Sequence, residues 1–158
     1  MELVLVLLIA GILMAIVVPT FASLSRNARL NTAARELVGY FEKARMEAVK
    51  RNTDVAMKFS TSGNGFCEIF VDDGSGGGTA KNFQRDGTEL RLDTMIMPNG
   101  TQLYEADFGS GAKSTRFSAR GLPARIGSVR LKNSGKYFRA SLSLAGCVTL
   151  SASHDTPL

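Results

Sequence analysis

Before Arg26 the chain carries no lysine or arginine, and between Phe108 and His154 it carries no acid at all. The first absence bears on the N-terminus. A secretory signal needs a basic n-region, a short apolar core and a small-x-small cleavage site. Here Glu2 is acidic where the n-region should be basic, and residues 3–18 run without a polar side chain, longer than a signal core. A cleaved signal is therefore set aside. Histidine is almost missing too: His154 stands alone in a polar tail beside Asp155. No G-x-S-x-G frame, Walker motif, dinucleotide fingerprint or zinc spacing occurs, so nothing assembles nucleophilic, acid–base or cofactor chemistry. The chain reads as a non-enzyme with no cofactor and no metal. Asp72 and Asp73 precede a glycine run but lack the alternating ligands and distal glutamate of a calcium loop, and read as a turn. Cysteine is limited to Cys67 and Cys147, which are not spaced as a metal site. They are read either as one disulfide, if the region lies outside the cytoplasm, or as two buried thiols.

What the chain does have is a long apolar beginning. Residues 3–22 would span roughly 30 Å as a helix, the thickness of a bilayer core. After Phe21 the apolar residues thin out but keep helical spacing. Leu30, Ala34, Leu37, Phe41, Ala44 and Ala48 recur every three or four residues, with Ala33 and Val38 widening the stripe. Arg26, Arg29, Arg35, Glu42, Lys43 and Lys50 fall on the other face. One helix over about residues 2–51 follows, apolar all round in its first half and amphipathic in its second. Pro19 lacks an N–H and crowds the preceding turn, which predicts a kink or a short melted stretch. Asn52, Thr53 and Asp54 supply the break.

Beyond residue 53 the period changes to two. Strands are expected at 55–59, 66–71, 89–92, 102–104, 115–118 and 128–132. A closing hairpin of 137–144 and 147–151 turns at Ala145-Gly146. Residues 72–79 are expected to form a flexible loop. Short strands with frequent glycine turns predict an α+β fold, the amphipathic helix packed on an antiparallel β-sheet head. Charge is segregated along the chain. The segment 26–51 has seven basic and three acidic residues, 54–107 has four and nine, and 108–154 has eight and none. Arg116, Arg120, Arg125, Arg130, Lys132, Lys136 and Arg139 are candidates for an anion- or DNA-binding surface, with Tyr137 and Phe138 able to stack on bases. Basic residues alternating on strands are equally an ordinary solvated face.

The run Glu2-Leu3-Val4-Leu5-Val6, leading into an apolar helix with Gly11 and Pro19, resembles the N-terminus of type IV pilins and pseudopilins. Within that superfamily, Ala33-Ala34-Arg35-Glu36-Leu37 and Ala44-Arg45-Met46-Glu47-Ala48-Val49-Lys50-Arg51 are similar to the H-type (GspH/FimT) branch. So are Phe70-Val71-Asp72 and Arg116-Phe117-Ser118-Ala119-Arg120-Gly121-Leu122-Pro123. The resemblance implies a pilin-like fold with residues 1–24 as transmembrane and assembly helix and 25–158 as soluble head. It implies a single-pass protein of the bacterial inner membrane with a periplasmic head, extracted into a filament. The implied partners are other pilin or pseudopilin subunits, an inner-membrane assembly platform and, before assembly, membrane lipid. Glu2, Gly11 and Pro19 become assembly residues, Glu2 facing a neighbour's N-terminal amine, which the family methylates. The family's leader, ending in Gly and followed by Phe-Thr-Leu-Ile before the glutamate, is expected to lie outside this sequence. The implied function is a minor pseudopilin of a type II secretion pseudopilus or type IV pilus-like filament. The alternative is a minor pilin that binds nucleic acid during uptake. For that, the expected Gly-Arg-x-Arg element is replaced by Gly146-Cys147-Val148-Thr149.

Overall fold

The computed structural model describes residues 2–153, with side chains from Ser23 to Ala152 and, before them, those of Val4, Val6, Met14 and Phe21. Helix α1 (Glu2–Arg51) is a single element of 50 residues. Helical backbone is continuous through Gly11 and Pro19, so the expected melted stretch does not form. The helix ends as its sequence dictates. Asn52 adopts a left-handed φ of 51°. The Asn52 N–H then donates to the Val49 carbonyl at 3.2 Å and the Thr53 N–H to Ala48 at 3.2 Å. That is the paired bonding of a Schellman cap, with asparagine where glycine is commonest. Glu47 accepts from Arg51 one turn on, at 2.7 Å, which supports the last turn.

The head is two antiparallel four-stranded sheets. The first has order β3-β2-β1-β5 and the second β4-β6-β7-β8. Its strands are β1 (Val55–Ser60), β2 (Phe66–Val71), β3 (Arg91–Ile96), β4 (Gln102–Asp107), β5 (Ser114–Phe117), β6 (Gly127–Lys132), β7 (Tyr137–Leu142) and β8 (Val148–Ser153). The helix stripe read from spacing is the one that packs: Leu30, Ala33, Ala34, Leu37, Phe41, Ala44 and Ala48 are all buried. Three rings join the layers. Phe41 lies 5.6 Å from Phe59 and 6.3 Å from Phe108, and Phe59 and Phe108 stack at 5.2 Å. Close approach of the end of β4 to the start of β6 requires Gly127, where a Cβ would fall 2.0 Å from the Asp107 carbonyl oxygen.

Three expectations are corrected. The third strand begins at Arg91 rather than 89 and runs on to Ile96. Glu89 is drawn out of it because its carboxylate accepts the Gly74 N–H at 2.9 Å and the Asp86 N–H at 3.1 Å. The loop after β2 is not loose: it contains a 3-10 turn (Ser75–Gly77) and is held by buried carboxylates. The closing hairpin turns more widely than Ala145-Gly146, because Ser143 already bonds across to Cys147, its N–H donating to the Cys147 carbonyl at 2.9 Å.

Before Leu30, the β6–β7 turn of the second sheet reaches the helix. Asn133 Nδ2 donates to the Arg26 carbonyl at 3.3 Å and to Asn27 Oδ1 at 3.0 Å. Further toward the N-terminus, Val4, Val6, Met14, Phe21 and Leu24 are all between 61 % and 70 % exposed. Among the described residues no helix is long and apolar enough to cross a membrane. The expected span, residues 3–22, falls where most side chains lie outside the described residues.

Candidate assembly helix and basic surfaces

Glu2, Gly11 and Pro19 all lie on α1, on the part that precedes the head; their side chains, like His154 in the tail, are outside the described residues. The seven basic candidates do not form one surface. Arg116, on β5, lies on the face of the first sheet opposite to Phe117, with Nε 3.3 Å from Asp54 Oδ2 and Nη1 3.9 Å from Asp72 Oδ2. Nη1 also donates to the Lys81 carbonyl at 2.8 Å. The Phe83 ring takes two guanidinium groups, Arg116 at 4.8 Å and Arg125 at 3.7 Å. Cation–π geometry of this kind contributes roughly 0.5–2 kcal/mol per pair. Lys81 and Phe83 both sit at left-handed φ, 66° and 64°, a conformation costing about 1–2 kcal/mol for a residue with a side chain. Asp72 offsets that cost: its carboxylate accepts the Asn82 N–H at 3.2 Å and the Phe83 N–H at 3.1 Å. These arginines therefore brace a loop.

The second group lies on the outer face of the second sheet. Arg130 Nη1 donates to Glu105 Oε2 at 2.8 Å, and Arg130 and Arg139 are directly opposed across β6 and β7. Lys132 Nζ lies 5.1 Å from the Tyr104 ring, and Tyr104 meets Tyr137 edge-on at 6.1 Å. A bulge between Leu103 and Glu105 brings both Tyr104 and Glu105 to this face. Burial pushes the Tyr104 hydroxyl above its ordinary range. The face is basic and aromatic, but its cations are already engaged with side chains of the sheet. Arg120 and Lys136 are exposed in two separate turns.

The cysteines correct another expectation. Cys67 is fully buried on β2, Cys147 is exposed at the mouth of the closing hairpin, and no bond joins them. Cys67 lies on β2 of the first sheet and Cys147 in the turn that precedes β8 of the second.

Between helix and head, Lys43 pairs with Asp93 of β3. Lys43 is the main cause holding the Asp93 carboxyl below its usual range. Tyr40 is pushed up to about 12, first by burial and then by its hydrogen bond to Asp93. Asp54, Asp72, Phe83, Glu105 and Tyr104, which organise the basic residues, were not legible as partners, since no local spacing links them to those arginines.

A helix that packs by its second half and presents exposed apolar side chains along its first defines the pilin-like class of subunit. The fold matches the minor pseudopilin EpsH of the Vibrio cholerae Type 2 Secretion System at a TM-score of 0.59 and 13 % identity, covering 80 % of this chain and 99 % of that one. It matches the type IV minor pilin FimU of Pseudomonas aeruginosa at 0.60 and 18 %, covering 83 % and 97 %. The chain belongs to the GspH family: the family model described as type II transport protein GspH matches residues 33–152. A stretch of 72 residues is 38 % identical to the pilin-like protein PilA1 of Thermus thermophilus, spanning 46 % of this chain and 45 % of that protein.

Proposed function

We propose that this chain is a minor subunit of a type II secretion pseudopilus or a type IV pilus-like filament. Residues 1–24 stand in the bacterial inner membrane, with the head, 25–158, in the periplasm, until an assembly platform moves the subunit into the filament. The observation that carries this is the exposure of Val4, Val6, Met14, Phe21 and Leu24 on a helix whose other half is a packed core element. Apolar side chains in that number on one rod require cover, and either lipid or the helices of neighbouring subunits provide it. Because both covers are apolar, dispersion and shape decide between them, and transfer can be nearly balanced. A rod of this kind can be moved from bilayer to filament by an external machine.

Glu2 is the polar group in that apolar setting. A carboxylate at the edge of a membrane helix is costly and is usually partnered; a neighbour's N-terminal amine supplies the opposite charge on assembly. Gly11 and Pro19 shape the helix surface against its neighbours. The processed protein carrying Glu2→Leu should fold its head normally, yet be missing from sheared filaments. Wild-type levels of the variant in those filaments would sink the assembly role. The reading as a nucleic-acid receptor has less support, because Arg116, Arg125 and Arg130 are engaged within the head.

A further inference from the structure

The pole of the head nearest the start of α1 contains a cleft of about 400 Å³. It forms where three turns meet the helix: β1–β2 contributes Gly63 and Asn64, β3–β4 contributes Gly100 and Thr101, and β6–β7 contributes Asn133 and Ser134. Arg26 of α1 and Lys132 of β6 supply two cations, and none of the lining residues is acidic. Among the described residues neither cation makes a salt bridge. Thr101 is 1 % exposed, yet its Oγ1 has no hydrogen-bond partner among the described residues. A buried hydroxyl left without a partner is costly, and Thr101 is one of the residues that line the cleft. The walls are otherwise held open by their own bonds. Gln102 Nε2 donates to the Gly63 carbonyl at 3.3 Å, Asn64 Nδ2 to Asn99 Oδ1 at 3.2 Å, and Asn133 ties the third turn to α1. Gly63 and Gly100 have left-handed φ of 62° and 84°, and a Cβ on either would meet nothing within 4 Å, so the backbone is bare there.

Two cations without a carboxylate partner among the described residues, an exposed hydroxyl at Ser134, amide side chains and no acid match a tetrahedral oxyanion. The position selects its source. Arg26 is four residues beyond Ala22, the end of the apolar run, which is about 6 Å along a helix. That is the depth of the headgroup layer flanking a bilayer core. We propose that this cleft holds the phosphodiester of an anionic phospholipid headgroup while the subunit stands in the membrane. The proposal rests on the bilayer reading above. The bound lipid fixes the height and rotation of the head over the membrane, and Lys136, exposed in the same turn as Asn133, adds attraction to an anionic surface.

The test uses the full chain in an uncharged detergent, titrated with short-chain phosphatidylglycerol, short-chain phosphatidylcholine or inorganic phosphate. Amide resonances of Gly63, Asn64, Thr101 and Asn133 report binding. Phosphatidylglycerol should give saturable shifts at those amides. Arg26→Gln and Lys132→Gln should each weaken the response about tenfold, the size expected for a charge-assisted bond. Thr101→Val should weaken it while leaving the rest of the amide spectrum in place, and Lys132→Arg should retain it. No saturation, an equal response to phosphatidylcholine or inorganic phosphate, or unchanged affinity in both charge variants would overturn the proposal. Co-elution of the chain with phosphatidylcholine nanodiscs tests the bilayer reading separately, because insertion of an apolar helix needs no anionic headgroup.

Discussion

Cys67 faces Phe59 and Met95 across its two neighbouring strands and is closed off from solvent. Burial pushes its thiol far above the ordinary range, with Glu68 and Asp93 adding to the shift. A thiol so held is neither nucleophile nor metal ligand but a small apolar core residue. Cys147 is exposed and meets a reagent directly. Native protein under oxidising conditions should therefore label at one cysteine with a thiol reagent, and at two after denaturation. Recovery of a Cys67–Cys147 peptide on non-reducing digestion would show the opposite. Arginine makes the same point about context. Arg116 and Arg120 are four positions apart, yet one is an internal brace between Asp54 and Asp72 and the other is exposed.

The segment between β2 and β3 shows what a carboxylate can do for a loop. Its first eight residues, DDGSGGGT, have almost no side chain to pack, and conformational entropy favours a mobile chain there. Three acids counter that tendency from within: Asp72 takes the Asn82 and Phe83 amides, Glu89 those of Gly74 and Asp86, and Asp86 the Thr79 amide. Asp72→Ala should leave strands β1 and β2 protected in hydrogen exchange. The Asn82 and Phe83 amides should exchange about tenfold faster or more, the consequence of losing a buried acceptor. Unchanged protection at those two amides would show that Phe83 stacking alone holds the loop. Helix α1 behaves in the opposite way, because its order is local: spacing, helix formers and an asparagine cap all agree.

Across the whole molecule, helix and sheets share one core. Phe41 comes from α1, Phe59 from the first sheet and Phe108 from just after β4 of the second. Removing the first ring opens a cavity bordered by all three layers. Phe41→Ala should lower stability by about 3–5 kcal/mol while both sheets still unfold together, measured by denaturant titration with far-UV and tyrosine signals. Two separate transitions would show that the sheets are independent units. Among the described residues of α1, none before Leu30 belongs to this core.

The long helix, its division into apolar and amphipathic halves, its packing stripe and most strand positions follow from the sequence alone. Each depends on periodicity, which is a property of neighbours a few residues apart. Asp93-Thr94-Met95-Ile96 was missed as strand because alternation is weak there and the pairing with β2 decides it. The division into two sheets, the separation of the cysteines and the splitting of the basic residues were decided only by tertiary structure. So was the meeting of Arg26 with Lys132 in one cleft. Those features depend on which distant segments the topology brings together. The energy of an ion pair or a stacked ring is set by distance in space, and no local pattern carries it.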